Sequence, residues 1–162
     1  MARFVGDRIT GFVERKLEGW FGLTVNRTKT RTVRLNKPGE SLDFLGYTFR
    51  YDRDLLGRGH RYLNVCPSDK SLQRERDKLR EMTGPGKCFL PVRVLIAQIN
   101  DHLRGWSNYF GRGYPRKAFR RINWFVEERL QRHLQRRSQR PYRLRDKMSW
   151  YAQLQHLGLQ SL

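Results

Sequence analysis

"LRGWSNYFGRGYPRKAFRRIN", residues 103–123, decides how the chain is read. Its first part continues an apolar stripe begun upstream: Val92, Leu95, Ile96, Ile99, Leu103, Trp106 and Phe110 recur at spacings of three and four. Arg93, Asn100, Asp101, Arg104 and Asn108 fall opposite, so a helix with one buried face is expected from about Pro91. Gly111 and Gly113 interrupt it. A second helix then runs from Pro115 to about Arg137 on a seam of Phe119, Ile122, Val126 and Leu130. Its far face carries Lys117, Arg121, Trp124, Glu128 and Arg132. Apolar rings and cations thus crowd one short segment.

Upstream of this pair, Ser68 and Asp69 are suitable caps for a helix reaching about Met82, which "TGPG" ends. Downstream, "SQRPYR" stops the basic helix, and Leu144 to Leu159 can form a weaker one. Before Pro67 the pattern changes. Phe4 to Trp20 spaces Val5, Ile9, Phe12, Val13, Leu17 and Trp20 as an amphipathic helix closed by Gly22. "TKTRTVRL" (Thr28 to Leu35) alternates as a strand, and "LDFLGYTFRYD" (Leu42 to Asp52) reads as a second, with Gly46 marking a bulge or a close backbone approach. Arg61 to Val65 gives a third strand, forming a hairpin with the second. The expectation is an α+β fold: an amphipathic helix on a small antiparallel sheet over residues 1–66, then a three-helix bundle over residues 67–162.

Charge narrows the partner. Thirty-four Lys and Arg against fifteen Asp and Glu leave a net +19, which repels itself unless a polyanion compensates it. Arg predominates, and its planar guanidinium binds phosphate bidentately and stacks on bases. Between Tyr114 and Arg145 eleven Arg or Lys face two acids. Nucleic acid is therefore the expected partner, through Arg104, Arg112, Arg116, Lys117, Arg120, Arg121, Arg132, Arg136 and Arg137. A membrane surface is not, because the basic segments lack one clean apolar stripe and no apolar run is long enough to span a bilayer. Trp106 and Phe110 continue a core stripe and are assigned to packing, whereas Tyr109 and Trp124 fall off the seams and are the candidates for base stacking. Cys66 and Cys88 read as two reduced thiols of a cytoplasmic protein, in a bacterial cytoplasm or an organelle matrix. His60, His102, His133 and His156 are too scattered to make a zinc module with them. No cofactor is expected, and Mg²⁺ only through bound RNA or a partner chain.

"LRGWSNYFGRGYPRKAFRRINWFVEERL", preceded by "SLQRERDKLREMT", resembles the maturase-specific domain, or thumb, of group II intron-encoded reverse transcriptases. "FGLTVNRTKTRTVRL" followed by "LDFLGYTFR" is similar to the last palm segments of the same polymerases. The resemblance covers about Ala2 to Tyr142. It implies a chain that grips structured intron RNA or a template-primer duplex in splicing and mobility, with Lys29 near a phosphate and Gly46 beside the primer end. It also implies a departure. The Tyr-Ala-Asp-Asp-like turn whose carboxylates hold two metal ions in these polymerases does not occur in this sequence, and "ARFVGDRI" resembles the stretch that follows it. The expectation is a fragment that is no enzyme on its own and has no catalytic or metal-binding residue. One alternative is half of a split RNA-directed DNA polymerase, active with a complementary chain. Another is a nuclease on Asp43, Asp52 and Asp54, disfavoured because no Glu or His stands at ligand spacing.

Overall fold

A computed structural model of the chain describes residues 2–30, 33–35, 37, 39–54, 58–145 and 148–162. The fold is α+β and comprises two compact units, Met1–Glu40 and Ser41–Leu162. The first holds helix α1 (Ala2–Gly19) and the segment after it. Helix α1 closes as the sequence suggests: Leu23 N–H donates to Leu17 C=O at 3.0 Å, and Gly22 takes φ +62°. The strand expected at Thr28 to Leu35 is absent from the described residues, and Arg31 and Thr32 lie outside them. Asn26 explains the difference. Its Oδ1 accepts from Lys29 N–H (3.1 Å) and Thr28 Oγ1 (2.6 Å), and its C=O accepts from Thr30 N–H at 2.9 Å. Such local bonds wind the backbone into a turn that competes with a sheet ladder.

The second unit opens with a three-stranded antiparallel meander, β1 (Ser41–Phe44), β2 (Tyr47–Arg53) and β3 (Arg61–Pro67), in the order β1-β2-β3. The single strand expected over Leu42 to Asp52 is thus two strands, and Gly46 is a turn residue, not a bulge. Leu45 and Gly46 both have positive φ (49° and 81°), the conformation of a two-residue hairpin turn whose twist suits the flanking strands. The expected β2–β3 hairpin is present, with Phe49 opposite Val65 and Asp52 opposite Tyr62. The sequence-based boundary near residue 66 lies inside this unit, where β3 passes into helix α2.

Helices α2 (Asp69–Met82), α3 (Val92–Phe110), α4 (Arg116–Arg136) and α5 (Trp150–His156) follow, and a short 3₁₀ turn, Pro85–Lys87, separates the first two. Ser68 caps α2 as expected, its hydroxyl accepting from Ser71 N–H at 3.2 Å. The core is one cluster built from Leu72 and Leu79 of α2, Leu95, Ile96, Ile99 and Leu103 of α3, Ile122, Val126 and Leu130 of α4, and Leu154 of α5, with Val92 and Trp106 packed against it. Each such side chain contributes about 1.5–3 kcal/mol of apolar transfer free energy. Phe119, expected on the seam, is only partly buried.

Two devices tie the sheet to the helices. At the β1–β2 turn, Gly46 C=O accepts from Ser68 N–H (2.8 Å) and from the Ser71 hydroxyl (2.9 Å). A Cβ on Gly46 would lie 2.9 Å from Ser71 Oγ and 3.3 Å from the Phe110 ring, so the close approach expected there is to protein groups. In the loop between α3 and α4, Tyr114 N–H donates to Val65 C=O at 2.8 Å. Gly113 sits against the same carbonyl at φ +77°, where a Cβ would stand 2.3 Å from Val65 O. Only glycine fits.

At the far side, two asparagine amides hold the last residues. Asn100 Nδ2 donates to Gly158 C=O (2.7 Å) while its Oδ1 accepts from Gln160 N–H (3.1 Å). Asn123 does the same for Leu162, accepting from its N–H at 3.1 Å and donating to its C=O at 3.4 Å. A side-chain amide presents one donor and one acceptor in the geometry of a peptide group, so it can pair with an extended backbone as a neighbouring strand would.

Candidate nucleic-acid interface

The glycine-broken loop fixes where α4 begins, and the first turns of α4 carry the densest positive charge. Arg116, Lys117, Arg120 and Arg121 are all exposed, and among the described residues no carboxylate pairs with them. No acidic residue occupies the first turn of α4. Cations in the first turn of a helix oppose the macrodipole, which favours negative charge there, so Arg116 and Lys117 do not serve the stability of their own helix. Trp124 follows them on the same helix and is 65% exposed. A large ring left in water beside four unpaired cations offers a π-face next to phosphate-binding groups.

The other end of α4 uses its basic residues differently. Thr83, at the C-terminus of α2, is almost wholly buried. Arg129 Nε donates to its hydroxyl at 3.0 Å, and Arg136 donates to its C=O at 2.7 Å. His133 Nδ1 approaches the same carbonyl at 3.3 Å and has its ring fully buried. These groups satisfy the terminal carbonyl of α2 and complement the negative end of its dipole. Burial, with a smaller contribution from neighbouring arginines, pushes the His133 imidazole below its ordinary value, against the opposing pull of the Thr83 carbonyl. His133 Nε2 is buried with no hydrogen-bond partner among the described residues.

The remaining predicted contact residues separate on the same test. Arg132 is ion-paired with Glu128 one turn back, and Arg137 is exposed just past α4. Arg104 is exposed on α3, 3.6 Å from Asp101, and Arg112 is exposed in the loop before α4. Tyr109 is 54% exposed, yet both its ends are engaged: its hydroxyl donates to Leu45 C=O at 2.9 Å, and its own C=O accepts from the Tyr47 hydroxyl. It therefore braces the β1–β2 turn as well as showing a ring. Lys29 lies exposed in the Asn26 turn of the first unit. Trp106 packs against the core, its ring 4.9 Å from Phe110 and 5.6 Å from Phe119.

Two of the three aspartates weighed as metal ligands, Asp43 and Asp52, serve the sheet. Asp43 accepts from Thr48 Oγ1, and Asp52 takes Asn64 Nδ2 (2.6 Å) and Arg50 Nε (3.1 Å). Among the described residues, no group of three or more His, Cys, Asp or Glu is placed to hold a metal ion. Cys66 and Cys88 are both free thiols, and burial pushes Cys66 up.

A pair that the sequence did not disclose joins α2 to α3. Glu75 is 4% exposed, and His102 Nε2 stands 3.0 and 3.1 Å from its two oxygens. Burial raises the Glu75 carboxyl above the ordinary range, while His102 pulls the other way. The signal was an acid lying between Leu72 and Leu79 on the core stripe of α2.

Residues 72–151, the span that builds α2, α3, α4 and the approach to α5, match the family described as the group II intron, maturase-specific domain. The chain carries a group II intron maturase-specific domain. No curated protein matches the chain. The matched span contains every exposed cation of α4, the Thr83 cluster and the Glu75–His102 pair.

Proposed function

We propose that this maturase-specific domain binds structured group II intron RNA in support of splicing, and that the start of α4 is its phosphate-binding surface. One observation carries the reading: four exposed cations with no ion-pair partner among the described residues sit in the first two turns of α4, two of them against its dipole, beside an exposed Trp. Arg104 and Arg112, near the start of α4 in the chain, extend that surface, and a template-primer duplex is the second RNA-containing ligand it suits. Polymerisation by this chain alone is no part of the proposal. Primer extension by the purified chain, abolished by a chelator, would contradict that.

The direct test is competition and salt dependence. Affinity for intron RNA should fall with salt on a log-log slope of about four to eight phosphate contacts, at roughly 0.7–0.9 per contact. The intron RNA should outcompete a random single strand of equal length, because shape and 2′-hydroxyl contacts add to charge. Equal competition at physiological salt would leave only generic polyanion binding.

A second reading has its own support. Ile9, Phe12 and Val13 of α1 are exposed, as are Trp20, Phe21 and Leu23 after it. An apolar surface of this kind suits a partner polypeptide, such as a complementary reverse transcriptase fragment. Polymerase activity that appears only on mixing with such a fragment would establish it.

A further inference from the structure

Residues 158–162 leave α5 and lie across α3 and α4, outside any helix or strand. One amide from each helix holds them. Asn100 of α3 pairs with Gly158 C=O and Gln160 N–H, and Asn123 of α4 pairs with both backbone groups of Leu162. A cavity of about 300 Å³ remains beneath this strap, lined by Leu103, Arg104 and Ser107 of α3, Phe119 of α4, and the strap itself. Protein interiors are close-packed, so the strap does not fill its seat.

The seat also has a chemistry that the strap leaves unused. Asn100, Arg104 and Ser107 recur at spacings of four and three and share one face of α3, and Arg116, Arg120 and Asn123 do the same on α4. Each stripe thus joins a strap-holding amide to exposed arginine. The strap's side chains carry no charge, and the ion-pair partner of Arg104 is Asp101 of its own helix. A nucleic-acid strand supplies what is missing. Its phosphates suit the arginines, and the amides that now hold backbone N–H and C=O groups can pair a base edge with the same adjacent donor and acceptor, as Asn pairs adenine. We propose that residues 158–162 are an exchangeable strap: they occupy part of the groove between α3 and α4 that a strand of the bound RNA takes, and RNA binding displaces them. Gly158, at φ +103° with open space around it, is the hinge. This rests on the RNA-binding reading and adds an autoinhibitory contact to it.

Amide hydrogen exchange on the full chain tests it. The N–H groups of Gln160 and Leu162 should be protected in the free chain, and saturating intron RNA should speed their exchange about tenfold or more while core amides of α3 and α4 keep theirs. Unchanged or slower exchange at either group in the complex would overturn the strap and leave the arginine surface standing, as would the absence of protection in the free chain. A chain ending at Leu157 should bind the RNA about threefold or more tighter, because no seated strap has to be displaced first. Parental or weaker affinity in a folded truncated chain would overturn the proposal. Should that chain not melt cooperatively, Gln160→Pro, which removes one of the strap's N–H donors, takes its place with the same expectation. If the parent chain binds no RNA, the RNA reading fails and the strap falls with it.

Discussion

The two ends of α4 are made of the same residue types and do opposite work. Arg116, Lys117, Arg120 and Arg121 meet no side-chain partner among the described residues, and the first two stand against the helix dipole. Arg129, His133 and Arg136 turn inward to the last turn of α2 and complete its hydrogen bonding. Composition cannot distinguish them. What separates them is whether a buried acceptor lies within reach, and Thr83 supplies one only at the C-terminal end. A basic helix is thus both a strut and a surface, and each role predicts a different loss on mutation.

The largest expected effect concerns the backbone that anchors the start of α4. Gly113→Ala forces a Cβ onto Val65 C=O at a left-handed φ, so it should cost about 3 kcal/mol or more and lower the melting temperature by well over 10 °C. A Gly113→Ala protein that melts like the parent would show that the loop is not fixed by β3. Next comes the strut. Arg136→Ala leaves the buried Thr83 carbonyl without its charged donor, and a loss of about 1.5–3 kcal/mol is expected in denaturant titration. RNA affinity of the folded fraction should hardly change, although Arg136 stands among the sequence-predicted contact residues.

A smaller effect comes from pH. The folded-state value of His133 lies below its ordinary 6.5, so the neutral ring's contribution is fully present above that pH and is lost as pH falls from 6.5 toward the folded value. Melting temperature should decline on acidification from pH 7 to 5, and His133→Gln should flatten the decline. Glu75, with its raised value, pulls the other way: protonation relieves a buried charge, so its contribution improves as pH falls. An unchanged slope in His133→Gln would assign the acid sensitivity elsewhere.

How far the sequence goes is visible along α2 and the β1–β2 turn. The helices α2, α3 and α4 were legible because their apolar residues recur at three and four over several turns, and Ser68 and the glycines mark their ends. Leu42 to Asp52 misled because the segment stays rich in aromatic residues on both sides of a two-residue turn, and the φ values at Leu45 and Gly46 reveal the reversal. Thr28 to Leu35 misled because the Asn26 amide offers local partners that alternation does not encode. For the site, exposed Trp124 and the start of α4 follow from the helical wheel. The inward role of Arg129 and Arg136 does not, since it depends on α2 ending beside α4. Asn100 and Asn123 sat on polar faces, and nothing local distinguishes a clamp from a solvated amide.

The smallest effect on stability is expected from the four-fold variant Arg116→Ala, Lys117→Ala, Arg120→Ala and Arg121→Ala, and that variant tests the central claim most directly. Its melting temperature should match or slightly exceed the parent's as self-repulsion falls. Its intron-RNA salt slope should drop by up to about four contacts' worth, with affinity falling accordingly. An Arg129→Ala, Arg136→Ala protein measured alongside should show the reverse, losing stability and keeping its slope. If the four-fold variant binds intron RNA with the parent's affinity and slope, the start of α4 is not the phosphate-binding surface.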